Sequence, residues 1–512
     1  MEITLKTKPQ WFGDIAAVIY GAALVLAFAP FNLFILSIII PALLLILLLN
    51  AKPGRAFFRA WLFGISFMAA GVSWVYVSLH VYGQANIWVA GGLTTAFILL
   101  MGAFYGLLGF ILARFFPYNI LSKCLLVYPA LWVLLEWARN WFLTGFPWLF
   151  LGYSQLHSPL SGLAPIFSVY GVSWATVFTS SLIVIVLLTR RLAVIFSCLL
   201  IGVALWSLSF ILHTITWTHP IGNPIRVALI QGNIPQEVKW RPEQALESFN
   251  LYKSLTAKNL DSQIIIWPEA AITLPQDQIM NGLDDLSQLL APGHNTLIAG
   301  IPIIENDAYY NGMIVLGQGS GSYRKRHLVP FGEYMPLRMI LNWLNGYLLI
   351  PMSDISRGAT KQPPMQVDGR LFAGSICYEI AFPTEPLKDL PQSQFLVVIS
   401  DDSWFGKSFA PAQHAQMAQM RALETGRYIL MSTNDAITAI IDAKGVVQNF
   451  ALPFEEFVLT GHLQAMTGST PWVMIGIYPI VILLFILLIW GFVLQNIYYS
   501  RHTSDKAQSP PP

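Results

Sequence analysis

Residues 371–379 read Leu-Phe-Ala-Gly-Ser-Ile-Cys-Tyr-Glu. An apolar run of strand length ends on a cysteine, and a tyrosine and a carboxylate follow at once. A thiol is thereby delivered to the carboxyl end of a strand, where α/β folds collect their active-site groups. Two other stretches share this form. Ile264-Ile265-Ile266-Trp267-Pro268-Glu269 brings a carboxylate to the lip of a sheet, and Tyr323-Arg324-Lys325-Arg326-His327-Leu328-Val329-Pro330-Phe331-Gly332-Glu333 runs from a basic stretch into a Pro/Gly turn. Taken singly, such stretches are ordinarily solvated turns or faces, and a free cysteine is ordinarily a small buried hydrophobe. Together they supply a nucleophile, a base and a cation.

Around them, from about residue 219, short β-rich segments alternate with turn residues. The pattern predicts strands over 226–231, 263–267, 296–300, 313–316, 371–376, 396–400, 428–432 and 437–442. It predicts helices over 242–260 and 412–425, with Pro242 suited to a first turn. Asp442-Ala443-Lys444-Gly445 reads as a hairpin turn. Strands alternating with helices over about 250 residues imply one α/β domain.

The remainder is of another kind. The 512 residues hold 29 Lys or Arg and 27 Asp or Glu, and charged residues make up 11% of the chain, with 55% hydrophobic and a mean hydropathy of +0.58. This composition excludes a disordered chain and a basic nucleic-acid binder. Residues 1–214 carry ten Lys/Arg and three Asp/Glu. A bilayer core about 30 Å thick needs about 20 apolar residues in a helix, and runs of that order occur near 12–29, 33–50, 58–80, 86–113, 122–140, 162–188, 192–213 and 473–497. The first passes from Pro30 directly into the second without a small-residue cleavage site, so it is expected to stay as an anchor. Lys6, Lys8, Lys52, Arg55, Arg59, Arg114, Lys123, Arg190, Arg191, Arg501 and Lys506 fall on one side of these spans and only Arg139 on the other. The positive-inside rule then puts both termini in the cytoplasm and the α/β domain outside. The expected organisation is a membrane domain of seven helices over 1–218, a catalytic domain over 219–470, and an eighth helix with a cytoplasmic tail over 471–512. Glu136 and Arg139, three apart, are placed to pair on one helix face. Gly145-Phe146-Pro147-Trp148 and Gly152-Tyr153-Ser154-Gln155 form a Gly/Pro/aromatic loop at the outer interface.

The combination in the outer domain suits acyl transfer. A thiol with a pKa of about 8.5 needs a base, which a buried carboxylate supplies, and a lysine stabilises the developing oxyanion. Gly406-Lys407-Ser408 resembles the end of a phosphate loop, but Asp401 stands where its first glycine belongs. There is no CxxC, no HExxH and no histidine cluster with zinc spacing, so neither a metal nor a cofactor is indicated. Cys124, Cys198 and Cys377 form no disulfide framework.

The three motifs, in this order, resemble the nitrilase (carbon–nitrogen hydrolase) superfamily with its Glu-Lys-Cys triad. Over nearly the whole chain the sequence resembles the apolipoprotein N-acyltransferase family. The resemblance rests on the spans, the 145–155 loop, Gln231-Gly232-Asn233-Ile234-Pro235-Gln236 with Trp240, the triad motifs, Trp404-Phe405-Gly406-Lys407-Ser408, and Ser432-Thr433-Asn434. It implies an integral membrane α-helical domain of about eight helices plus a four-layer α-β-β-α domain at the periplasmic face of the bacterial inner membrane. Cys377 would be the nucleophile, Glu269 the general base and then acid, and Lys325 the oxyanion stabiliser. Glu333, Tyr378 and Glu379 would support them, and Trp240, Trp148, Tyr153, Asn311 and Trp404 are candidates for substrate contact. The implied partners are a phospholipid acyl donor, attacked at its sn-1 ester, and a diacylglyceryl apolipoprotein acceptor, with no nucleic acid. The alternatives are a membrane-tethered amidase of the same fold and a transporter or receptor with an outer ligand-binding domain. Two positions depart from the family pattern: Asp401-Asp402-Ser403 stands where Asn-Asp-Ala is expected, and Asp435-Ala436 where Asn-Gly is expected after Asn434.

Overall fold

Along the strand Phe395–Ser400 the side chains alternate between two buried environments. Phe395, Val397 and Ile399 join one apolar cluster, and Leu396 and Val398 join another. Both faces of the strand are dry, which explains why its sequence is continuously apolar rather than alternating. The computed structural model describes residues 10–335 and 354–507, with side chains as far as residue 500. Of the basic residues that set the expected orientation, Lys6 and Lys8 and the side chains of Arg501 and Lys506 lie outside the described residues.

Two sheets form the middle of the α/β unit. From edge to edge, the seven-stranded sheet runs Val447–Phe450, Ala439–Ile441, Ile429–Thr433, Phe395–Ser400, Arg370–Ile376, Met365–Val367 and Gly319–Ser320. The six-stranded sheet runs Phe457–Leu463, Ile225–Gln231, Ile264–Ile266, Thr296–Glu305, Ala308–Gly317 and Ser322–Arg324. Val227, Leu229, Ile264, Ile266 and Ile298 from one sheet meet Phe372, Ile376, Val397, Ile399 and Leu430 from the other in a shared core. On the outer faces, helices Pro242–Ala257 and Met280–Leu290 cover Ile230, Ile265 and Leu297, and helix Ala410–Thr425 covers Ala373, Leu396 and Met431. The order of layers is α-β-β-α. The central strands are parallel, Ile225–Gln231 with Ile264–Ile266 and Arg370–Ile376 with Phe395–Ser400, so the ends carrying Glu269 and Cys377 are carboxyl ends.

All eight strands expected from the sequence are present; those expected over 263–267 and 437–442 are shorter, at Ile264–Ile266 and Ala439–Ile441, and two are markedly longer, Thr296–Glu305 and Ala308–Gly317, which pair along their whole length. Asp442-Ala443-Lys444-Gly445 does turn the chain between Ala439–Ile441 and Val447–Phe450. The Asp442 side chain accepts from the N–H of Lys444 and of Val446, and Gly445 takes φ +78°.

The second unit is helical. Gln10–Ala27, Ile87–Phe115, Ile120–Arg139, Pro159–Leu188, Leu192–Thr214 and Tyr478–Ser500 are long and apolar enough to cross a bilayer. The run near 58–80 is two helices, Pro53–Gly71 and Trp74–Tyr82, bent by 52°. Val72 leaves the helical backbone there at φ −131°. The run near 33–50 yields the shorter helix Leu36–Leu48 with Pro41 inside it. Among the described residues, six helices thus pass the length and composition test, or seven if the bent pair is one span. The segment Trp74–Gly91 groups with the α/β unit and not with the helical one. Ser78 Oγ donates to the carbonyl of Trp404 at 2.7 Å, and Trp74 packs edge-on to Phe405 with ring centroids 4.6 Å apart.

Glu136 and Arg139, expected to pair with each other, turn instead to the 145–155 loop. Glu136 accepts from the N–H of Leu151 at 2.7 Å and from the Trp132 indole at 3.1 Å. Arg139 donates to the carbonyl of Trp148 at 3.4 Å, and its guanidinium lies over the ring of Phe150.

Helices Pro53–Gly71 and Ile87–Phe115 approach closely at Gly64 and Gly102, where a Cβ on Gly64 would stand 2.6 Å from the Gly102 carbonyl oxygen. Small residues of this kind let helix backbones meet in a membrane protein. Gly64→Val is expected to destabilise the unit by about 1–3 kcal/mol through overpacking. Gly92→Ala, in the same helix as Gly102 with nothing within 4 Å, should stabilise it by up to about 1 kcal/mol. Thermal unfolding in detergent checks both, and the two shifts should have opposite signs.

Candidate active site

The carboxyl ends of the two sheets present Glu269 and Cys377. Cys377 is the first residue after the strand Arg370–Ile376 and adopts φ +52°, a left-handed conformation that a residue with a Cβ rarely takes. Ala270, next to Glu269, and Phe331, two residues before Glu333, are left-handed as well, at φ +47° and +59°. Backbone strain of this kind concentrates at functional sites. Gly300, inside the strand Thr296–Glu305, lets the strand pass close behind the carboxylate, since a Cβ there would lie 2.8 Å from the Cα of Glu269.

Lys325 sits just past Ser322–Arg324 and is only 1% exposed. Its Nζ donates to Glu333 Oε1 at 2.9 Å and to Glu269 Oε1 at 3.3 Å. Burial would depress its pKa, but the charges of Glu269 and Glu333 outweigh burial and hold the ammonium well above its ordinary value. Asn311 lies on the neighbouring strand, and its Nδ2 donates to Glu269 at 2.6 Å and to Glu333 at 2.9 Å. The other Glu269 oxygen accepts from the N–H of Asp401 at 2.8 Å, and the other Glu333 oxygen from the N–H of Val329 at 2.8 Å. Burial raises the pKa of Glu269, with Lys325 opposing it and the carboxylates of Glu333 and Asp401 reinforcing it. Burial also pushes the Cys377 thiol well above its ordinary value. There the charge of Glu269 adds to the effect and Lys325 works against it. A buried thiol thus feels both a buried carboxylate and a buried ammonium that stays charged.

Glu379 ties the two motifs together. Its carboxylate accepts from the N–H of Ile376 at 2.8 Å, of Arg326 at 2.5 Å and of His327 at 2.9 Å, and from the Tyr323 hydroxyl at 2.9 Å. Burial, aided by Glu385, pushes its pKa up to about 7 against the pull of the backbone donors. Tyr378 packs its ring edge-on against Phe382, with centroids 5.0 Å apart. Among the described residues no group of three or more His, Cys, Asp or Glu side chains is arranged to hold a metal ion.

Glu269, Lys325, Glu333, Asn311, Cys377 and Glu379 thus converge. Asn311 bridges two carboxylates, so its amide positions the charged groups. Trp240, in a turn, and Trp404, in the short helix Asp402–Phe405, are half-buried in the same unit. Trp148 and Tyr153 belong to the helical unit, where both are buried, Trp148 stacked on Phe146 and Tyr153 on Phe150.

Residues 20–182 match the apolipoprotein N-acyltransferase N-terminal domain, and residues 226–471 match carbon-nitrogen hydrolase. The apolipoprotein N-acyltransferase of Coxiella burnetii is 44% identical over 484 residues, covering 94% of this chain and 100% of that protein. The chain belongs to the apolipoprotein N-acyltransferase family. The relative of the same name from Azotobacter vinelandii is 40% identical, covering 95% of this chain and 96% of its own length. Among solved structures, an amidase of the nitrilase superfamily from Nesterenkonia aligns with 50% of this chain and 95% of its own at 15% identity and a TM-score of 0.38. With its several long apolar helices, this family member is a multi-pass membrane protein carrying a nitrilase-like domain.

Sequence reasoning missed Lys239, whose place before Trp240 on a polar turn looks solvated. The side chain is buried and donates to Asp401 Oδ2 at 2.5 Å and to the Glu269 carbonyl at 3.1 Å. It also missed the Asp402–His414 pair, in which His414 Nδ1 lies 3.0 Å from Asp402 Oδ2. Neither carries a local signal, because Lys239 meets Asp401 162 positions on, and His414 meets Asp402 and the Cys377 carbonyl 12 and 37 positions back, outside its own helix.

Lys239→Met leaves Asp401 buried without its counter-charge and is expected to destabilise the α/β unit by about 3–5 kcal/mol. Lys239→Met with Asp401→Asn should recover most of that loss, measured as the unfolding midpoint in detergent.

Burial, with the charge of Asp401 next in weight, pushes the Asp435 carboxyl up to about 7 from an ordinary 3.8. Between those values the folded protein retains a proton that the unfolded chain has released, so this group's contribution to stability is present below pH about 4 and is lost as pH rises through about 7. Asp435→Asn should therefore raise the unfolding midpoint at pH 8 and leave it nearly unchanged at pH 4. Equal shifts at both values would show that Asp435 is not the source.

Proposed function

We propose that this protein N-acylates apolipoproteins, with a phospholipid as donor and a thioester on Cys377 as intermediate. The observation that supports this most is the buried Lys325 ammonium shared by Glu269 and Glu333, beside a thiol that feels both the carboxylate and the cation. Glu269 takes the thiol proton as the sulfur attacks the sn-1 ester carbonyl, and Lys325 balances the oxyanion that forms. Collapse breaks the ester C–O bond, and Glu269 returns the proton to the leaving lysophospholipid oxygen. The free α-amine of a diacylglyceryl cysteine then attacks the thioester, losing a proton to Glu269. The amide forms and the sulfur leaves as thiolate, to be reprotonated. This is ping-pong covalent catalysis.

In this reading the membrane portion is 1–218 with 471–512, the catalytic portion is 219–470 and periplasmic, both termini are cytoplasmic, and the membrane is the bacterial inner one. The basic residues of the short connections support that orientation. Both substrates are anchored in a bilayer, so a membrane-held active site is suited to them. The amidase alternative gains no observation that the acyltransferase reading lacks, and a transporter leaves the Glu-Lys-Cys constellation without a task.

Acyl-labelled phospholipid mixed with purified protein and no acceptor should leave a stoichiometric label, released by neutral hydroxylamine and absent from Cys377→Ala. A peptide beginning with diacylglyceryl cysteine should discharge it, and an amine-blocked peptide should not. Label surviving in Cys377→Ala would end the thioester mechanism. Lys325→Met should slow turnover by roughly 10²–10³ with the fold retained, the range for one lost oxyanion donor. Glu269→Gln should be at least as slow, since it disables proton transfer in both half-reactions. Near-normal turnover in either variant would remove that residue from the mechanism.

A further inference from the structure

The imidazole of His414 lies between two acceptors. On one side Nδ1 is 3.0 Å and 3.1 Å from the two oxygens of Asp402, and on the other Nε2 is 3.1 Å from the carbonyl oxygen of Cys377. A neutral imidazole has one N–H and one lone pair, so a neutral ring would set a lone pair against one of these oxygens. With Asp402 as a carboxylate, which can only accept, both bonds are made only if both nitrogens carry protons. The ring is buried on helix Ala410–Thr425, and Asp402 is buried just past the strand Phe395–Ser400.

We propose that His414 is a positioning residue: protonated on both nitrogens and anchored by Asp402, it clamps the carbonyl of Cys377 and so fixes the peptide plane that follows the nucleophile. The inference rests on Cys377 being the nucleophile. Cys377 stands at φ +52°, which costs about 1–3 kcal/mol for a residue with a Cβ, so the turn persists only where its surroundings over-determine it. Glu379 holds the N–H of Ile376 on the near side, and His414 holds the carbonyl on the far side. The peptide is planar, so turning that carbonyl would swing the Tyr378 N–H with it. Ser400 Oγ donates to Asp402 Oδ1 at 2.6 Å and keeps the carboxylate from rotating away. Burial alone favours a neutral ring, but the charge and hydrogen bonds of Asp402, the Cys377 carbonyl and the charge of Glu269 together hold the His414 pKa above its ordinary value. The charge of Asp402 is one of the smaller contributions that raise the pKa of the Cys377 thiol, which disfavours the thiolate, so the task of the pair is to hold the carbonyl and not to activate the sulfur.

Three variants separate the clamp from a packing role and from a charge role. His414→Leu fills the space without a donor. His414→Gln places an amide N–H near the position of Nε2. Asp402→Asn can accept from Ser400 through oxygen and donate to Nδ1 through nitrogen, leaving His414 neutral but still donating to Cys377. The readout is the single-turnover rate of acyl label transfer from phospholipid to Cys377, with the lipid concentration at half-saturation and the unfolding midpoint measured alongside. The expected result is a rate about 10²-fold lower in His414→Leu, the size of effect a misplaced reacting group produces. Half-saturation should stay within about threefold, His414→Gln should recover at least about tenfold of the loss, and Asp402→Asn should stay within about fivefold of the unchanged protein. A normal rate in His414→Leu, or Asp402→Asn as slow as His414→Leu, would overturn the clamp. If the unchanged protein took no label from phospholipid, the acyltransferase mechanism itself would fail. The clamp would then be judged by alkylation of Cys377 with iodoacetamide, read on its own peptide by mass spectrometry. The same order of the three variants would uphold it, and equal rates would refute it.

Discussion

A lysine ammonium out of contact with water has to be matched by negative charge, and the arrangement around Cys377 follows from how Lys325 meets that demand. It takes two carboxylates, Glu269 from the end of a central strand and Glu333 from the turn that follows Lys325 itself. Two negative charges against one positive leave an excess that burial makes costly. The group that can relieve it by taking a proton is Glu269, whose pKa is raised by burial and by its acidic neighbours. The carboxylates therefore keep the cation charged, while burial and the neighbouring Glu333 and Asp401 make Glu269 a better base against the opposing pull of Lys325. Asn311 prevents the two carboxylates from repelling each other out of register, since one amide nitrogen donates to both.

Charge balance does not aim the sulfur. That depends on backbone held in unfavourable conformations at Cys377, Ala270 and Phe331, each costing about 1–3 kcal/mol. The Glu379 carboxylate gathers the N–H groups of Ile376, Arg326 and His327 into one acceptor. The cysteine turn and the lysine loop, which lie about fifty positions apart in the chain, are thereby held to each other by a single side chain. A conservative shortening of Glu379 to Asp would release one of these loops even though the residue need never touch the acyl group.

Much of this was legible in the sequence. The strands ending at Ile266 and Ile376 were readable because both ends lie in dry surroundings and because a titratable residue follows within three positions. Helix Met280–Leu290 and the edge strand Phe457–Leu463 were not read: the helix is short, and the strand is exposed along one face. The bend at Val72 was hidden because hydropathy reports how apolar a run is and not where its backbone leaves the helix. Glu136 and Arg139 were visible as ionisable residues in an apolar run, but the loop carbonyl and amide that engage them come from residues 148 and 151, which no pattern within a single helix would indicate. Lys239 and His414 escaped for the same reason.

The two departures from the family pattern acquire a physical meaning at this point. Asp401 and Asp435 both stand where an amide is expected, and the half-buried Asp435 adjoins a buried polar group of Asp401, Lys239, Ser403 and Asn434. An amide at 401 would meet Lys239 as a neutral partner. A carboxylate makes a buried ion pair whose members also hold Glu269, Asp401 through its N–H and Lys239 through its bond to the Glu269 carbonyl. One such pair is self-compensating. A second carboxylate at 435 is not, because Lys239 is already committed, and Asp435 lowers its cost by keeping its proton to a pH near 7. Protonated, Asp435 presents an O–H donor and a carbonyl acceptor, the hydrogen-bonding inventory closest to the amide it replaces.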